Sequence, residues 1–224
     1  MKKNKKIQLK TKHLCISPKT LEELKLALEK ETDPEMQKAY GDMIRGVEEQ
    51  PEDWLWYTDW TITLKGTETF VGSIGFKGSA NESGEVEIVY GIEEEHRRKG
   101  YGLEAVNAMM EWAFQNEKVY YIMAETLADN TASQGLLEKA GFTPTGTIGE
   151  EGPRFEKEKP KTSYTSLFLS VGMCLGMSIG LTAFDNIATG MCLGMLFGVA
   201  VGSAMDQNDK KHREEIRKKR EQET

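Results

Sequence analysis

Glu85-Val86-Glu87-Ile88-Val89-Tyr90-Gly91-Ile92, followed shortly by Arg97-Arg98-Lys99-Gly100-Tyr101-Gly102, is the stretch from which the fold can be read. In the first segment Val86, Ile88, Tyr90 and Ile92 fall on one face, the alternation of a half-buried strand. The second is a basic glycine loop that runs into a helical pattern from about Tyr101 to Gln115. A loop in that position has a defined use, because free N–H groups at a helix N-terminus bind anions. Gly100 and Gly102 let backbone amides approach a pyrophosphate unobstructed, and Arg98 and Lys99 add positive charge. The dinucleotide fingerprint does not fit, since Ala105 takes its last position and no acidic-ended second strand follows. No Gly-Lys-Ser/Thr occurs either, which removes the nucleotide-triphosphate loop. The same residue types also make solvated turns, so the neighbouring sequence has to decide.

Working outward, Ile7 to Ile16 reads as an opening strand, and Thr20-Leu21-Glu22-Glu23 as a capping box starting a helix to about Lys30. Asp33 and Pro34 suit the N-cap and first helical position of a second helix, ending near Glu48. Trp56 to Leu64 and Thr69 to Phe76 are strands joined through Lys65-Gly66-Thr67-Glu68. Beyond the loop, Val119 to Thr126 is a strand and Asp129 or Asn130 caps a helix that stops at Ala140-Gly141. Phe142 to Ile148 and Arg154 to Lys157 read as closing strands. The expected fold class is α/β: a mixed, mainly antiparallel central sheet flanked by helices.

The loop, with Leu103-Glu104-Ala105-Val106, Glu111-Trp112-Ala113-Phe114, Asn130-Thr131-Ala132-Ser133 and Leu137-Glu138-Lys139-Ala140-Gly141-Phe142, resembles the acetyl-CoA signature of the GNAT N-acetyltransferase superfamily. Glu87-Ile88-Val89-Tyr90-Gly91-Ile92 is similar to the fourth strand of the branch containing ribosomal-protein N-terminal acetyltransferases. The likeness is good over residues 69–148 and extends back to residue 7. It implies acetyl-CoA as co-substrate, no metal, and an amine acceptor. It also implies roles for particular residues. Backbone groups of Tyr90, Gly91 and Ile92 would meet the pantetheine arm and thioester, where the family splays two strands apart. Arg97, Arg98, Lys99, Gly100, Tyr101, Gly102 and Leu103 would surround the pyrophosphate. Asn130 and Ser133 would lie near the sulfur end, with Asn130 equally suited to an ordinary N-cap. Glu87 matches the acidic residue of that strand and becomes the candidate general base, although a solvated strand residue would look the same. One departure concerns position 137, where many members carry a tyrosine acid and this chain has Leu137. No general acid can therefore be named from the resemblance.

Trp54, Trp56, Tyr57 and Trp60 fall where the family builds its acceptor side, though strand packing explains them better. His13, His96 and His212 are scattered as surface or loop residues, and Glu93-Glu94-Glu95 reads as a solvated turn. The net charge of −7 argues against a general nucleic-acid binder. Three cysteines give neither a disulfide framework nor metal-ligand spacing, and Cys174 and Cys192 read as packing residues. No secretory signal follows the basic run Lys2, Lys3, Lys5 and Lys6.

The C-terminal part is of a different kind. Gly172-Met173-Cys174-Leu175-Gly176-Met177 recurs unchanged at Gly190-Met191-Cys192-Leu193-Gly194-Met195. Gly172, Gly176 and Gly180 form one series at spacing four, and Gly190, Gly194, Gly198 and Gly202 another. Each series marks one helix face where backbones can approach closely. The expected division is an N-acetyltransferase domain at 1–158, a linker at 159–164, a two-helix Gly-xxx-Gly hairpin at 165–205 and a charged tail at 206–224. Segments 166–184 and 187–205 have about the length of short bilayer spans, and the flanking lysines and arginines put both ends on the cytoplasmic side. The expected partners are acetyl-CoA, an amine, the membrane and, through the stripes, a second copy. A non-catalytic acyl-CoA-binding module and a membrane-assembly protein acting through its hairpin are the alternatives.

Overall fold

A computed structural model describes residues 7–183 and 185–223. The basic run at 2–6 and Phe184 lie outside them. The chain divides into two compact units at Lys159/Pro160.

The first unit carries an eight-stranded sheet: β1 (Leu9–Lys10), β2 (Leu14–Pro18), β3 (Asp59–Leu64), β4 (Phe70–Phe76), β5 (Glu85–Ile92), β6 (Tyr121–Glu125), β7 (Thr143–Ile148) and β8 (Pro153–Glu158). Their order in space is β1-β2-β3-β4-β5-β6-β8-β7. All neighbours are antiparallel except β5 and β6, which run parallel. A parallel pair needs a crossover, and α3 (Tyr101–Ala113) supplies it. The expected opening strand is two, since β1 and β2 fold back antiparallel. Thr11 closes that turn: its backbone N–H donates to Leu14 O, and its hydroxyl oxygen accepts from Leu14 N.

Helix α1 (Leu21–Lys30) begins at Thr20, whose hydroxyl accepts from Glu23 N while Glu23 Oε2 accepts from Thr20 N. Helix α2 (Pro34–Glu49) begins at Asp33, which accepts from Glu35 N and Met36 N. Residues Trp54–Trp56 form a 3-10 turn rather than the start of β3. The aromatics there pack. Trp112 of α3 lies with its ring 4.6 Å from Trp56 and 5.1 Å from Trp60, and Trp60 is fully buried. The core between α3 and the sheet also holds Val86, Ile88, Val106, Met109 and Ile122.

The second unit is a helical hairpin of α5 (Tyr164–Ala183) and α6 (Ile187–Glu223). Its glycines face each other. Gly172 lies against Gly194, Gly176 against Gly190, Gly180 against Asn186 and Gly202 against Tyr164, so one antiparallel register runs the whole length without a slip. A Cβ on Gly180 would sit 2.8 Å from Asn186 O and one on Gly202 2.8 Å from Tyr164 O, which no side chain tolerates. Residues 206–223 continue α6 as one helix, and Asp206 ties that point to the start of α5 by accepting from Tyr164 N, Thr165 N and Thr165 Oγ1. One finding corrects the sequence reading. Cys174 and Cys192 are exposed rather than packed, since the glycine faces fill the interior.

Candidate active site

The pairing of β5 with β6 covers only Glu85, Val86 and Glu87 opposite Tyr121, Ile122 and Met123. From Ile88 onward β5 is bonded to β4 alone, and beyond Met123 β6 is bonded to β8 alone. The sheet splits there, leaving the β6-facing edge of Ile88–Ile92 without a strand. A crevice at the carboxyl ends of parallel strands, where the chain crosses over, is where open α/β sheets hold ligands.

The basic loop closes one end of the split. Arg98 and Gly100 both take left-handed conformations, with φ of 60° and 85°. For Arg98 this is a strained choice for a residue with a Cβ, of the sort that clusters at binding sites. Gly100 occupies the N-cap of α3 and offers no capping side chain. Among the described residues no backbone N–H from Arg98 to Leu103 donates to a protein acceptor. These orphan donors and the helix dipole fit a doubly charged pyrophosphate. Arg97 departs from this set: its Nε donates to Ile92 O at 3.0 Å, fastening the loop to the end of β5.

The even-numbered side chains of β5 meet α3 and α4 (Thr131–Lys139). A Cβ on Gly102 would lie 2.7 Å from Leu136 Cδ1 and 3.4 Å from Ile92 Cγ1, so loop, strand and α4 converge there. The Tyr90 hydroxyl lies 2.9 Å from Ser133 Oγ. Burial raises the Tyr90 pKa against the smaller opposing effect of that hydrogen bond. Asn130 caps α4, accepting from Ser133 N at 3.0 Å. Gly91 is exposed.

Glu87 faces the other side of the sheet, at the last paired position before the split. Its carboxylate forms an ion pair with Lys77, whose Nζ also lies 3.1 Å from Glu151 Oε1. Burial alone would lower the Lys77 pKa, but hydrogen bonds and charge from Glu87 and Glu151 outweigh it and raise the group. Glu151 sits in the β7–β8 turn, where its N–H donates to Glu125 Oε2. Glu125 pairs with Arg154 at 2.5 Å. Burial pushes Glu125 up, and the Glu151 N–H and Arg154 more than reverse this, so it stays ionised below the usual range.

Comparison with known proteins agrees with this geometry. Residues 13–143 match the model of the family described as acetyltransferase (GNAT) domain. The chain belongs to the GNAT acetyltransferase family. The match to this GNAT model takes in β2 through the start of β7, hence both banks of the split. Residues 158–208 match a second family, described as glycine zipper membrane protein. The uncharacterized N-acetyltransferase YjdG of Bacillus subtilis is 41% identical over 86 residues, 38% of this chain and 51% of that protein. YoaA of the same organism is 34% identical over 89 residues, 40% of this chain and 50% of that protein. The chain thus spans about half the length of the curated relatives it matches. Among solved structures, the ribosomal-protein-S5-alanine acetyltransferase of Vibrio fischeri superposes with a TM-score of 0.53 at 15% identity, over 69% of this chain and 98% of that one. The spermidine N-acetyltransferase of Vibrio cholerae, in complex with CoA and spermine, gives 0.52 at 14% identity, over 66% and 97%. At such identities these two structures establish the fold.

Within the GNAT frame, Leu137 is fully buried in the core and contributes no acid. His96 is buried rather than on the surface, its ring 6.3 Å from that of Tyr101 beneath the basic loop. Sequence reasoning missed Lys77, Glu125, Glu151 and Arg154 altogether. They belong to separate turns and strands, and only the sheet order brings them together. It also missed Glu104, which accepts from Thr11 Oγ1 at 2.5 Å, His13 N at 2.7 Å and His13 Nδ1 at 2.8 Å, fastening the β1–β2 turn to the first turns of α3.

Proposed function

We propose that the protein transfers an acetyl group from acetyl-CoA to a primary amine by direct attack in a ternary complex, with the transferase unit tethered to a membrane. The observation that carries this reading is the split between β5 and β6, with unfilled backbone donors on one side and the Glu87 carboxylate on the other. In this reading the N–H groups of Arg98 to Leu103 hold the pyrophosphate, with charge from Arg98 and Lys99. The edge of Tyr90, Gly91 and Ile92, apart from the Ile92 O that Arg97 holds, takes the pantetheine amides as a further strand would. Asn130 and Ser133 border the thioester end. Arg97 supports the loop through Ile92 O.

Acetyl-CoA supplies the activated acetyl group, and the chain orients the amine and takes its proton. Glu87 accepts a proton from the incoming ammonium, leaving a free amine. The nitrogen lone pair forms the new C–N bond as the C–S bond breaks, with the electron pair going to sulfur. The amide nitrogen sheds a second proton, and the thiolate takes one from solvent.

The acceptor is a protein N-terminus or a small amine; the two structural neighbours are named for an alanine of a ribosomal protein and for spermidine. Thiol release measured on the full chain against peptides with free N-termini and aliphatic amines tests this. Glu87→Gln is expected to lower kcat about 10²- to 10⁴-fold while calorimetric binding of CoA is kept. Full activity of that variant across pH would remove Glu87 as the base, and absent CoA binding in the wild type would remove the cofactor site.

The hairpin supports tethering. Both helices are long and apolar enough to cross a membrane, and α5, at 20 residues, is about 30 Å long, the thickness of the hydrocarbon core. The glycine faces are consumed between the helices, so Leu175, Leu181, Leu196 and Phe197 point outward. On α5 the hydroxyls of Ser170, Ser178 and Thr182 donate to the carbonyls of Ser166, Cys174 and Ser178, which removes unpaired donors from an apolar surround. In this reading both ends of the hairpin and the transferase unit lie on the cytoplasmic side. Carbonate extraction of membranes should leave the full chain in the pellet; release into the soluble fraction refutes insertion.

A further inference from the structure

Lys77 directly follows β4, and its backbone N–H donates to Glu87 O at 3.0 Å. The backbone is therefore anchored opposite Glu87, and only the side chain has freedom to move. That side chain bridges the two halves of the split sheet. Its Nζ pairs with Glu87 on β5 and with Glu151 in the turn beyond β7, on the half built around β6. Of the other charges nearby, Arg154 is hydrogen-bonded to Glu125, whose second oxygen takes the Glu151 N–H, and acts on Glu87 and Glu85 only through longer-range attraction. With Lys77 withdrawn, Glu87 and Glu151 lose the cation they share, and a second cation in the same place restores both pairings. The Lys77 side chain is 43% exposed, so the ion pairs it gives up on leaving for water are of the solvent-screened, weakly stabilising kind.

We propose that Lys77 is a built-in stand-in for the acceptor: its ammonium occupies the place, against Glu87 and Glu151, that the substrate's own ammonium takes on binding. This deepens the acetyltransferase reading and rests on Glu87 as the base. It identifies the acceptor as an amine that arrives protonated, and Glu151 as a residue that selects for it. Exchange of one ammonium for another keeps the charge of the site unchanged. It also keeps Glu87 engaged until a substrate is present.

Two substitutions separate this from a merely structural latch, because they break the same ion pair from opposite ends. With saturating acetyl-CoA, Lys77→Met removes the competitor and should lower the KM for cationic amines about fivefold, whereas Glu151→Gln added to Lys77→Met, where no competitor is left to weaken, removes half of the receptor and should raise it again about fivefold. KM shifts of the same sign would show a latch and overturn the proposal. A second measurement does not depend on turnover. Lys77 labelling by an acetylating ester, read by mass spectrometry on the CoA-bound full chain, should rise with butylguanidinium, a cation that is not acetylated, and not with the neutral butylurea. No rise overturns the displacement. A rise in a protein that acetylates no amine supports displacement and refutes instead the assignment of Glu87 as base.

Discussion

Glu104→Gln tests whether the β1–β2 turn is held to α3 by charge. Burial opposes ionisation of Glu104, but the Thr11 hydroxyl, the His13 N–H and the His13 ring outweigh it and lower its pKa from 4.5 to about 2. Taken at full value, that difference would correspond to about 3 kcal/mol. The side chain keeps 21% of its exposure, and solvent screening reduces the expected contribution to about 1.5 kcal/mol. The sign follows from a depressed carboxylate. The contribution is fully present above about pH 4.5, falls by roughly half by pH 3, and is gone below pH 2. Gln keeps the shape and one acceptor oxygen, so it removes the charge and little else. All four tryptophans lie between positions 54 and 112, so their fluorescence in urea titrations reports the first unit even in the full chain. The expected gap between wild type and variant is about 1.5 kcal/mol at pH 7 and clearly smaller at pH 3. A gap below about 0.5 kcal/mol at pH 7, or one that does not shrink toward pH 3, refutes the reasoning.

Gly100→Val should weaken CoA binding about tenfold in calorimetry: nothing lies within 4 Å of the added Cβ, but a β-branched residue is strained at φ 85°, by about 1–2 kcal/mol. Unchanged affinity would show that the loop backbone does not need its left-handed turn. Gly176→Leu should force the hairpin apart, since the Cβ alone would meet Gly190 O and come within 2.9 Å of Gly194 Cα. In a Cys15→Ser chain with spin labels on Cys174 and Cys192, the interlabel distance should lengthen and broaden, while Ser170→Leu on the outward side leaves it unchanged. Overpacking of this kind costs about 1–3 kcal/mol.

Much of the chain was legible because its signals are local. The alternation at Val86, Ile88, Tyr90 and Ile92 marked β5 to the residue. The Thr20 and Asp33 caps marked the starts of α1 and α2, as Asn130 did for α4. The glycine spacing of four predicted the hairpin faces, because a missing side chain has the same effect wherever the helix packs. Local signals failed where the outcome depended on partners distant in sequence. The strand expected from Trp56 starts only at Asp59, because Trp56 belongs to a 3-10 turn and packs its ring, tilted, against Trp112. His96, surrounded by charge in sequence, is buried.

The amino-acid sequence by itself determined the strand–glycine loop–helix order around Gly100, the helix caps and the glycine faces of the hairpin. Each depends on backbone conformation or spacing within a few turns. Only the tertiary structure decided where the sheet splits and what stands on either side of Glu87. Strand pairing between β5 and β6 ends at Glu87 because the two strands go on with different partners, β4 and β8. The Lys77–Glu87–Glu151 arrangement follows from that sheet order, and charges brought together across more than sixty positions leave no periodicity to read.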